Sequence, residues 1–154
     1  MTDWTPTSPT PPPGRSGGPS GPRASFLIRL GGYLVDGVIL FVMQAILALA
    51  LKGVGQGLGT LLGIAYFVYL DGSPSGQTIG KRMVGIRVID FGTGGPIGYG
   101  RALVRWLVGI VAALACLIGY FWMLWDPERQ TWFDKAANSV VVPTSAYPVA
   151  AWPG

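Results

Sequence analysis

The sequence predicts an all-α membrane protein: a small bundle of three hydrophobic helices, with a cytoplasmic loop in which a short β pair can form. Half of the 154 residues are hydrophobic and only 12% are charged, a composition typical of membrane proteins. The apolar residues stand in long blocks rather than in an amphipathic rhythm. These observations predict one membrane domain over residues 26–142, preceded by a tail at 1–25 and followed by another at 143–154.

The N-terminal tail is predicted to be disordered. Residues 1–25 are mostly Pro, Gly, Ser and Thr, and such a segment buries too little apolar surface to offset the entropy lost on ordering. The C-terminal segment 143–154 is expected to be loose as well. No secretory signal is recognisable, because the first apolar block follows a polar tail and lacks a small-residue cleavage pattern. The first hydrophobic helix is therefore expected to stay in the mature protein.

Three apolar blocks are candidates for crossing a hydrocarbon layer of roughly 30 Å. The first covers residues 30–51 and contains a single ionisable side chain, Asp36. The second, at 54–70, is interrupted only by Gln56 and by glycines. The third, at 102–125, ends in a group of aromatic residues, which is typical of a membrane interface.

Basic residues predict the orientation in the membrane. Residues 75–105 contain five Lys or Arg and one Asp, whereas the turn between the first two spans contains only Lys52. Because Lys and Arg are retained on the cytoplasmic side, the N-terminus and the central loop are placed there. The net charge of +4 then reflects membrane topology, and the absence of a groove-reading motif argues against nucleic-acid binding.

Asp36 is the acid within the first span, and it must face protein. An ionised carboxylate in lipid is costly by several kcal/mol on insertion scales, so Asp36 needs a cation or a hydrogen-bond donor. Arg29 lies two turns away on nearly the same helix face, and Arg105 lies about one turn inside the third span. We expect Arg105, alone or shared with Arg29, to neutralise Asp36, because a partner on another helix fixes how the two helices dock. The alternative is a proton- or cation-binding carboxylate in a transport path.

Small residues recur along the second and third spans. Gly55, Gly59 and Gly63 form a stripe at every fourth residue of the second span, and Gly109, Ala113 and Cys116 form a similar face on the third. Such stripes allow close approach of helix backbones. They predict packing of the second span against the third, or against a second copy of the chain.

Residues with obvious catalytic potential are few. The chain has no histidine and one cysteine, so it offers no nucleophile paired with a base, no metal-ligand cluster and no disulfide. We therefore expect no enzymatic activity, no cofactor and no metal. Two β-branched segments, GIRVI at 85–89 and SVVV at 139–142, are candidates for a small sheet at the membrane surface.

Three blocks of the sequence, in the same order, resemble the RDD family of small membrane proteins, which is named for one arginine and two aspartates. Arg29 and Asp36 match the first block, and GQTIGKRMVGIRVID followed by GRALVRW matches the central loop. DPERQTWFDKAANSVVV matches the closing segment, with Asp134 in the place of the second aspartate. The resemblance covers about residues 24–142, and proline-rich N-terminal tails are familiar in actinobacterial members.

The resemblance implies a multi-pass protein of the bacterial plasma membrane, for which transport of small ligands or ion exchange has been suggested. The chain departs from the family pattern at Phe133, where the family often has His, and at Gly32, where it often has Ala. The resemblance also raises a topological conflict, because three full spans would place Asp134 on the side opposite Arg29. If these two residues meet, the third block must re-enter, with a bend near Gly119. We keep three spans as the expected count and leave the side of the C-terminus open.

Two functional hypotheses follow. The preferred one is a non-catalytic accessory or assembly subunit that docks on a larger membrane complex, for example a respiratory or envelope-building complex. The alternative is a small oligomeric carrier of a cation or proton with Asp36 as its binding carboxylate. Three short spans are too few for two gated half-channels around a central site, so transport would require an oligomer. The expected partners are the lipid bilayer and either other membrane subunits or further copies of the chain.

Overall fold

The computed structural model describes residues 18–115 and 117–154 and shows a mostly helical protein with one small sheet. This confirms the predicted fold class. Within the described residues there are six α-helices and two strands, and a short 3-10 turn, Trp122–Leu124, follows the fifth helix. In chain order they are α1 Phe26–Leu51, α2 Gly53–Gly72, α3 Ile79–Met83, β1 Ile86–Asp90, α4 Gly98–Leu114, α5 Ile118–Phe121, α6 Trp132–Ala136 and β2 Ser139–Pro143.

Helices α1 and α2 form an antiparallel hairpin of membrane-spanning length. Ser25 caps the start of α1 by accepting a hydrogen bond from the backbone N–H of Ile28, and Lys52, with a positive φ of 49°, separates the two helices. Their 26 and 20 residues give lengths of about 39 Å and about 30 Å. Both helices are long and apolar enough to cross a membrane.

The third apolar block is broken. Helix α4 ends at Leu114, α5 begins at Ile118, and the two segments meet at 113°. The expected continuous span over 102–125 is thus corrected to a bent pair, which gives a third crossing only if both arms count as one span. Gly119 permits the return, because a Cβ at this position would come within 2.7 Å of the Cβ of Ala112 on α4.

Strands β1 and β2 pair in antiparallel register from Ile86 opposite Pro143 to Asp90 opposite Ser139. This confirms the predicted pairing of the two β-branched segments. One set of their side chains packs with residues of α4 and of the segment before α1, and this core comprises Ala24, Ile86, Val88, Ile97, Ala102 and Val141. The sheet therefore holds the chain after α6 at the same end of the hairpin as the start of α1.

The segment before α1 packs on this sheet, which corrects part of the predicted N-terminal tail. The backbone N–H of Ala24 donates to the carbonyl oxygen of Val141 at 2.9 Å, and Ala24 is buried. Arg23 forms an ion pair with Glu128, with 2.6 Å between Nη2 and Oε2. Residues 18–25 thus pack with the membrane domain, because Ala24 is hydrogen-bonded to the sheet and Arg23 is paired with Glu128. The disorder predicted for residues 1–17 concerns a segment outside the described residues.

The C-terminal segment is also packed rather than loose. The Trp152 indole N–H donates to the carbonyl oxygen of Gln77 at 3.0 Å, and Arg87 donates to the carbonyl oxygen of Pro148 at 2.8 Å. The Trp152 ring lies 4.7 Å from the guanidinium carbon of Arg82. The expectation that residues 143–154 are loose was wrong, because the composition of a segment does not reveal aromatic and backbone contacts of this kind.

Candidate functional site

Six charged side chains are buried where the hairpin meets the sheet. Each of them is at most 5% exposed. Burying a charge is costly unless it is paired or hydrogen-bonded, so the partners of these groups determine what the site can do. The six are Arg29, Asp36, Asp71, Lys81, Arg105 and Asp134.

Asp134 accepts from two arginines on different helices. Its Oδ2 lies 2.5 Å from Nη1 of Arg29 on α1, and its Oδ1 accepts from Nη1 of Arg105 on α4. The carboxylate is held in place by a capping box at the start of α6, in which the Thr131 N–H donates to Oδ2 at 3.0 Å. Arg29 and Asp134 therefore do meet, which the sequence left open, and the return of the third apolar block makes this contact possible.

Arg105 extends the pairing to a second carboxylate. Its Nε lies 3.4 Å from Oδ2 of Asp71 at the end of α2, and Asp71 Oδ1 pairs with the ammonium of Lys81 on α3. A continuous chain of alternating charges thus links five helices, in the order Arg29, Asp134, Arg105, Asp71 and Lys81. We refer to these five residues as the charge chain.

Asp36 lies outside the charge chain, and the expected pair between Asp36 and Arg105 is not formed. Its oxygens accept hydrogen bonds from the hydroxyls of Tyr66 and Thr78, both at 2.6 Å, and from the backbone N–H of Gly80 at 2.8 Å. Three neutral donors therefore satisfy the carboxylate. The prediction was wrong because it preferred a cation to a neutral hydrogen-bond donor, whereas the short helix α3 brings backbone and hydroxyl donors against α1.

Two glycines permit this approach of α3 to α1. A Cβ added at Gly80 would overlap the carbonyl oxygen of Gly32 and come within 2.8 Å of the Asp36 carboxyl carbon. A Cβ at Gly32 would lie 3.3 Å from a methyl group of Val84. Gly80 is therefore required by the close contacts with Gly32 and Asp36, and Gly32 is favoured by its own close contact with Val84.

Phe133 lies beside the charge chain, at the position where the family often has histidine. Its ring centroid is 5.0 Å from the guanidinium carbon of Arg105, a distance at which a cation is attracted to the aromatic ring. The ring thus supports Arg105 without a titratable group. Phe133 contributes packing here and has no capacity to transfer protons.

Four residues of the site were missed or misread in the sequence. Tyr66 was treated as part of the apolar block 54–70, and Lys81 was counted as a topology-determining charge. Asp71, directly after that block, and Thr78 were not singled out. For Asp71 a signal was available, because an acid at the end of an apolar helix poses the same question as Asp36. Thr78 and Tyr66 gave no such signal, since only the fold brings their hydroxyls to α1.

Lys81 depends on its carboxylate partner. Burial lowers the pKa of Lys81, and the adjacent Asp71 carboxylate opposes this effect. Because Lys81 also contacts the face of the Tyr33 ring, with 5.8 Å from Nζ to the ring centroid, its ammonium is enclosed on several sides. Loss of Asp71 would leave a buried cation without its nearest counter-charge.

The glycine stripe of α2 faces α1 rather than the third block. A Cβ at Gly55 would overlap the backbone of Leu47, and one at Gly59 would overlap the side chain of Gln44. At Gly63 an added Cβ would have no neighbour within 4 Å among the described residues. The tight turn at Lys52 explains the difference, because it forces the first turns of α2 against the last turns of α1.

The small residues of the third block have separate surroundings. A Cβ at Gly109 would make an ordinary contact, 4.0 Å from a ring carbon of Phe133, and Ala113 borders a cavity beside α4. Cys116, the third member of the predicted face, lies outside the described residues. This face therefore does not meet the glycine stripe of α2, although α2 and α4 do pack against each other, as predicted for the second and third blocks.

Comparison with known proteins identifies relatives of uncharacterised activity. The chain is 38% identical over 91 residues to the "Proline-rich antigen homolog" of Mycobacterium tuberculosis (strain H37Rv), covering 57% of this chain and 38% of that protein. It is 41% identical over 86 residues to the "Proline-rich antigen" of Mycobacterium leprae, covering 54% of this chain and 34% of that protein. It is 26% identical over 130 residues, 78% of each chain, to an "Uncharacterized protein" of Haemophilus influenzae.

These matches cover little more than a third of each mycobacterial relative's length. No solved structure matches the chain. The model of the RDD family matches residues 23–138, a range that includes Arg29, Asp36 and Asp134. Because this match covers well over half of the chain, the protein belongs to the RDD family of membrane proteins.

Proposed function

We propose that this RDD-family protein is a non-catalytic accessory or assembly subunit of a larger membrane complex. One observation carries the proposal. All six oxygens of the three carboxylates in this buried cluster, Asp36, Asp71 and Asp134, have a donor from the same chain within 3.4 Å. The buried charges are thus used to fix the relative positions of the helices.

A fixed charge chain supports a role in assembly. Breaking a buried ion pair leaves an uncompensated charge, whose cost strongly favours the intact arrangement. The charge chain joins α1, α2, α3, α4 and α6, so it presents the outer faces of α1 and α2 in one defined geometry. Those outer faces are apolar and exposed, with Phe41 and Leu49 among the most exposed side chains. They suit contact with lipid or with the helices of a partner subunit.

The alternative, a cation or proton carrier that uses Asp36, has weaker support. A cation reaching Asp36 would have to displace hydrogen bonds from Tyr66, Thr78 and the Gly80 N–H. Hydrogen bonds to a charged group are worth roughly 1.5–3 kcal/mol each, so the site is already well satisfied without an ion. We also propose that α1 and α2 both cross the bacterial plasma membrane and that the N-terminus is cytoplasmic.

The test is isolation of the tagged full chain from native membranes with a mild detergent, followed by native size analysis and identification of associated proteins. The proposal predicts co-migration with defined partner subunits in a fixed ratio. A homo-oligomer without partners would contradict it, particularly if the reconstituted protein moves protons or Na⁺ into liposomes. In that case Asp36→Asn should abolish the flux while leaving the oligomer intact, and Asp90→Asn, at the sheet, provides the matched control.

A further inference from the structure

A cavity of about 400 Å³ lies beside the charge chain, bordered by residues of α1, α2, α4, α5 and α6. This volume falls within the range of roughly 300–1,000 Å³ typical of small-molecule sites. The lining is almost entirely apolar and aromatic, and includes Leu30, Phe67, Trp106 and Ile110. Arg105 and Asp71 are the charged residues among the lining groups.

Two polar groups at this cavity have no hydrogen-bond partner among the described residues. Arg105 is only 3% exposed, and its Nη2 is buried without an acceptor, although Nε and Nη1 are used in the charge chain. Tyr120 is also a lining residue of the cavity, and its hydroxyl is buried and unpartnered as well. Because an unsatisfied buried donor costs free energy, both groups favour an acceptor inside the cavity.

The charged residues around Arg105 indicate whether that acceptor is an anion. The charge chain contains three cations and two carboxylates, so it has an excess of one positive charge. Asp71, the carboxylate in the cavity wall, is already engaged by Lys81 and Arg105. Asp36, which offsets the excess, is absent from the lining and is satisfied by its three neutral donors. An oxyanion beside Arg105 would therefore meet an N–H donor of a cation that the charge chain leaves unused, and the carboxylate in the cavity wall is already paired.

The rest of the cavity suits a hydrocarbon chain. Arg105, Trp106, Gly109, Ile110 and Ala113 lie on one face of α4, at spacings of three and four residues. From Arg105 to Ala113 this face extends about 12 Å along the helix. An apolar chain can thus run along α4 from a polar end at Arg105 to an apolar end near Leu117.

We propose that this cavity binds a single-chain membrane amphiphile with an oxyanion head, a phosphate monoester or a carboxylate. The head accepts hydrogen bonds from Arg105 Nη2 and the Tyr120 hydroxyl, and the hydrocarbon chain packs along α4. The small volume favours one chain over the two of a phospholipid. This site is separate from the proposed docking on partner subunits, so either inference can fail without the other.

Photolabelling tests the proposal. The full chain is reconstituted in nanodiscs of phosphatidylcholine with dodecyl phosphate that carries a diazirine near the end of its chain, and the labelled peptides are mapped. We expect labelling within residues 106–117. Unlabelled dodecyl phosphate should compete at least about tenfold better than dodecanol, because a hydrogen bond to a charged group is worth roughly 1.5–3 kcal/mol. Equal competition by dodecanol, or better competition by phosphatidylglycerol or by inorganic phosphate, would overturn the proposal.

Two variants and one control assign the label to the cavity and leave the five residues of the charge chain unchanged. Gly109→Leu places a side chain inside the cavity and should abolish labelling, whereas Gly100→Leu adds the same side chain to α4 where an added Cβ has no neighbour within 4 Å among the described residues. Tyr120→Phe removes only a hydroxyl and should weaken labelling several-fold at unchanged detergent stability. Normal labelling of a folded Gly109→Leu protein, or an equal loss in Gly100→Leu, would refute the site.

Discussion

Arg29 and Asp134 form a buried ion pair across 105 residues of sequence, with 2.5 Å between Nη1 and Oδ2. The pair connects the start of the first helix to a short helix that follows the third apolar block. Arg105 holds the other oxygen of the same carboxylate. The arginine and the second aspartate for which the family is named are thus the two ends of one structural contact, which exists only because the third block turns back.

Replacing Asp134 should be the most damaging single change at the site. Asp134→Asn leaves the buried guanidinium groups of Arg29 and Arg105 facing a neutral amide. Loss of one member of a buried charge pair typically costs about 3–5 kcal/mol. We expect a comparable fall in the free energy of unfolding, measured by titrating the purified protein with a denaturing detergent.

Asp126→Asn is the matched control, since Asp126 pairs with Lys135, whose side chain is 44% exposed. The Asp126 side chain is 8% exposed, but its partner is solvated, so losing the pair should cost at most about 1 kcal/mol. The amide oxygen of the variant can still accept from the backbone N–H groups of Glu128 and Gln130, so stability should remain near wild type. Equal losses in Asp134→Asn and Asp126→Asn would show that the charge chain has no special role.

The hydroxyl of Tyr66 should stabilise the fold through Asp36. Tyr66→Phe removes the donor to Asp36 and also the acceptor of the Ile79 N–H, which lies 3.1 Å from the hydroxyl oxygen. A buried hydrogen-bonding group left without its partner costs about 1–3 kcal/mol. We expect a lower thermal midpoint in detergent, whereas Tyr69→Phe, on the exposed side of the same helix, should change stability by less than about 0.5 kcal/mol. Unchanged stability in Tyr66→Phe would mean that Asp36 is held by its other donors alone.

The sequence was sufficient to predict the membrane helices and the strand pair, and it raised the meeting of Arg29 with Asp134 as one of two possibilities. These features follow from local composition, from β-branched runs and from a resemblance that orders the blocks. The partners of Asp36 could not be predicted from the sequence, because only the five-residue helix α3 brings Thr78 and Gly80 to α1. A long-range contact made by neutral donors leaves no pattern in hydropathy or charge.

The glycine stripe illustrates the same limit. Regular spacing showed that α2 would be approached closely, and Gly55 and Gly59 are in close contact with α1. Spacing alone did not show which helix makes the approach. That choice depends on the turn at Lys52, whose positive φ directs α2 back along α1.

Gly55 should be more sensitive to substitution than Gly63. A Cβ at Gly55 would overlap the backbone of Leu47, which has no freedom to rotate away, whereas Gly63 has open space. Gly55→Ala should therefore separate α1 from α2 and reduce the yield of folded protein. Gly63→Ala should be neutral or stabilising by up to about 1 kcal/mol, because alanine favours helix more than glycine does. Equal tolerance of both changes, measured as the monodisperse fraction in size-exclusion chromatography, would contradict the packing.

Acidification should weaken the sheet end of the domain through Asp90. Burial acts to raise the pKa of Asp90, but hydrogen bonds from Thr93 and the ion pair with Arg101 outweigh it, and the pKa lies below its ordinary value of 3.8. A carboxyl group with a lowered pKa in the folded state stabilises the protein above its unfolded pKa and loses that contribution as the pH falls through the folded value. Wild-type stability should thus decline below about pH 4, and Asp90→Asn should be less stable at neutral pH but show a shallower decline. Parallel curves for the two proteins in thermal unfolding would rule out this role of Asp90.

The two ends of the described chain should lie on one side of the membrane, with the turn after α1 on the other. The hydrogen bond from the Ala24 N–H to the carbonyl oxygen of Val141 fixes both ends at the sheet, and α1 carries the chain about 39 Å away from it. In a Cys116→Ala background, a cysteine at Ala146 should react with a membrane-impermeant maleimide only after permeabilisation, because basic residues retain that side in the cytoplasm. A cysteine at Gly53 should react in intact cells. Reaction of both positions in intact cells would require the third block to cross the membrane fully, which would separate Asp134 from Arg29 and break the charge chain.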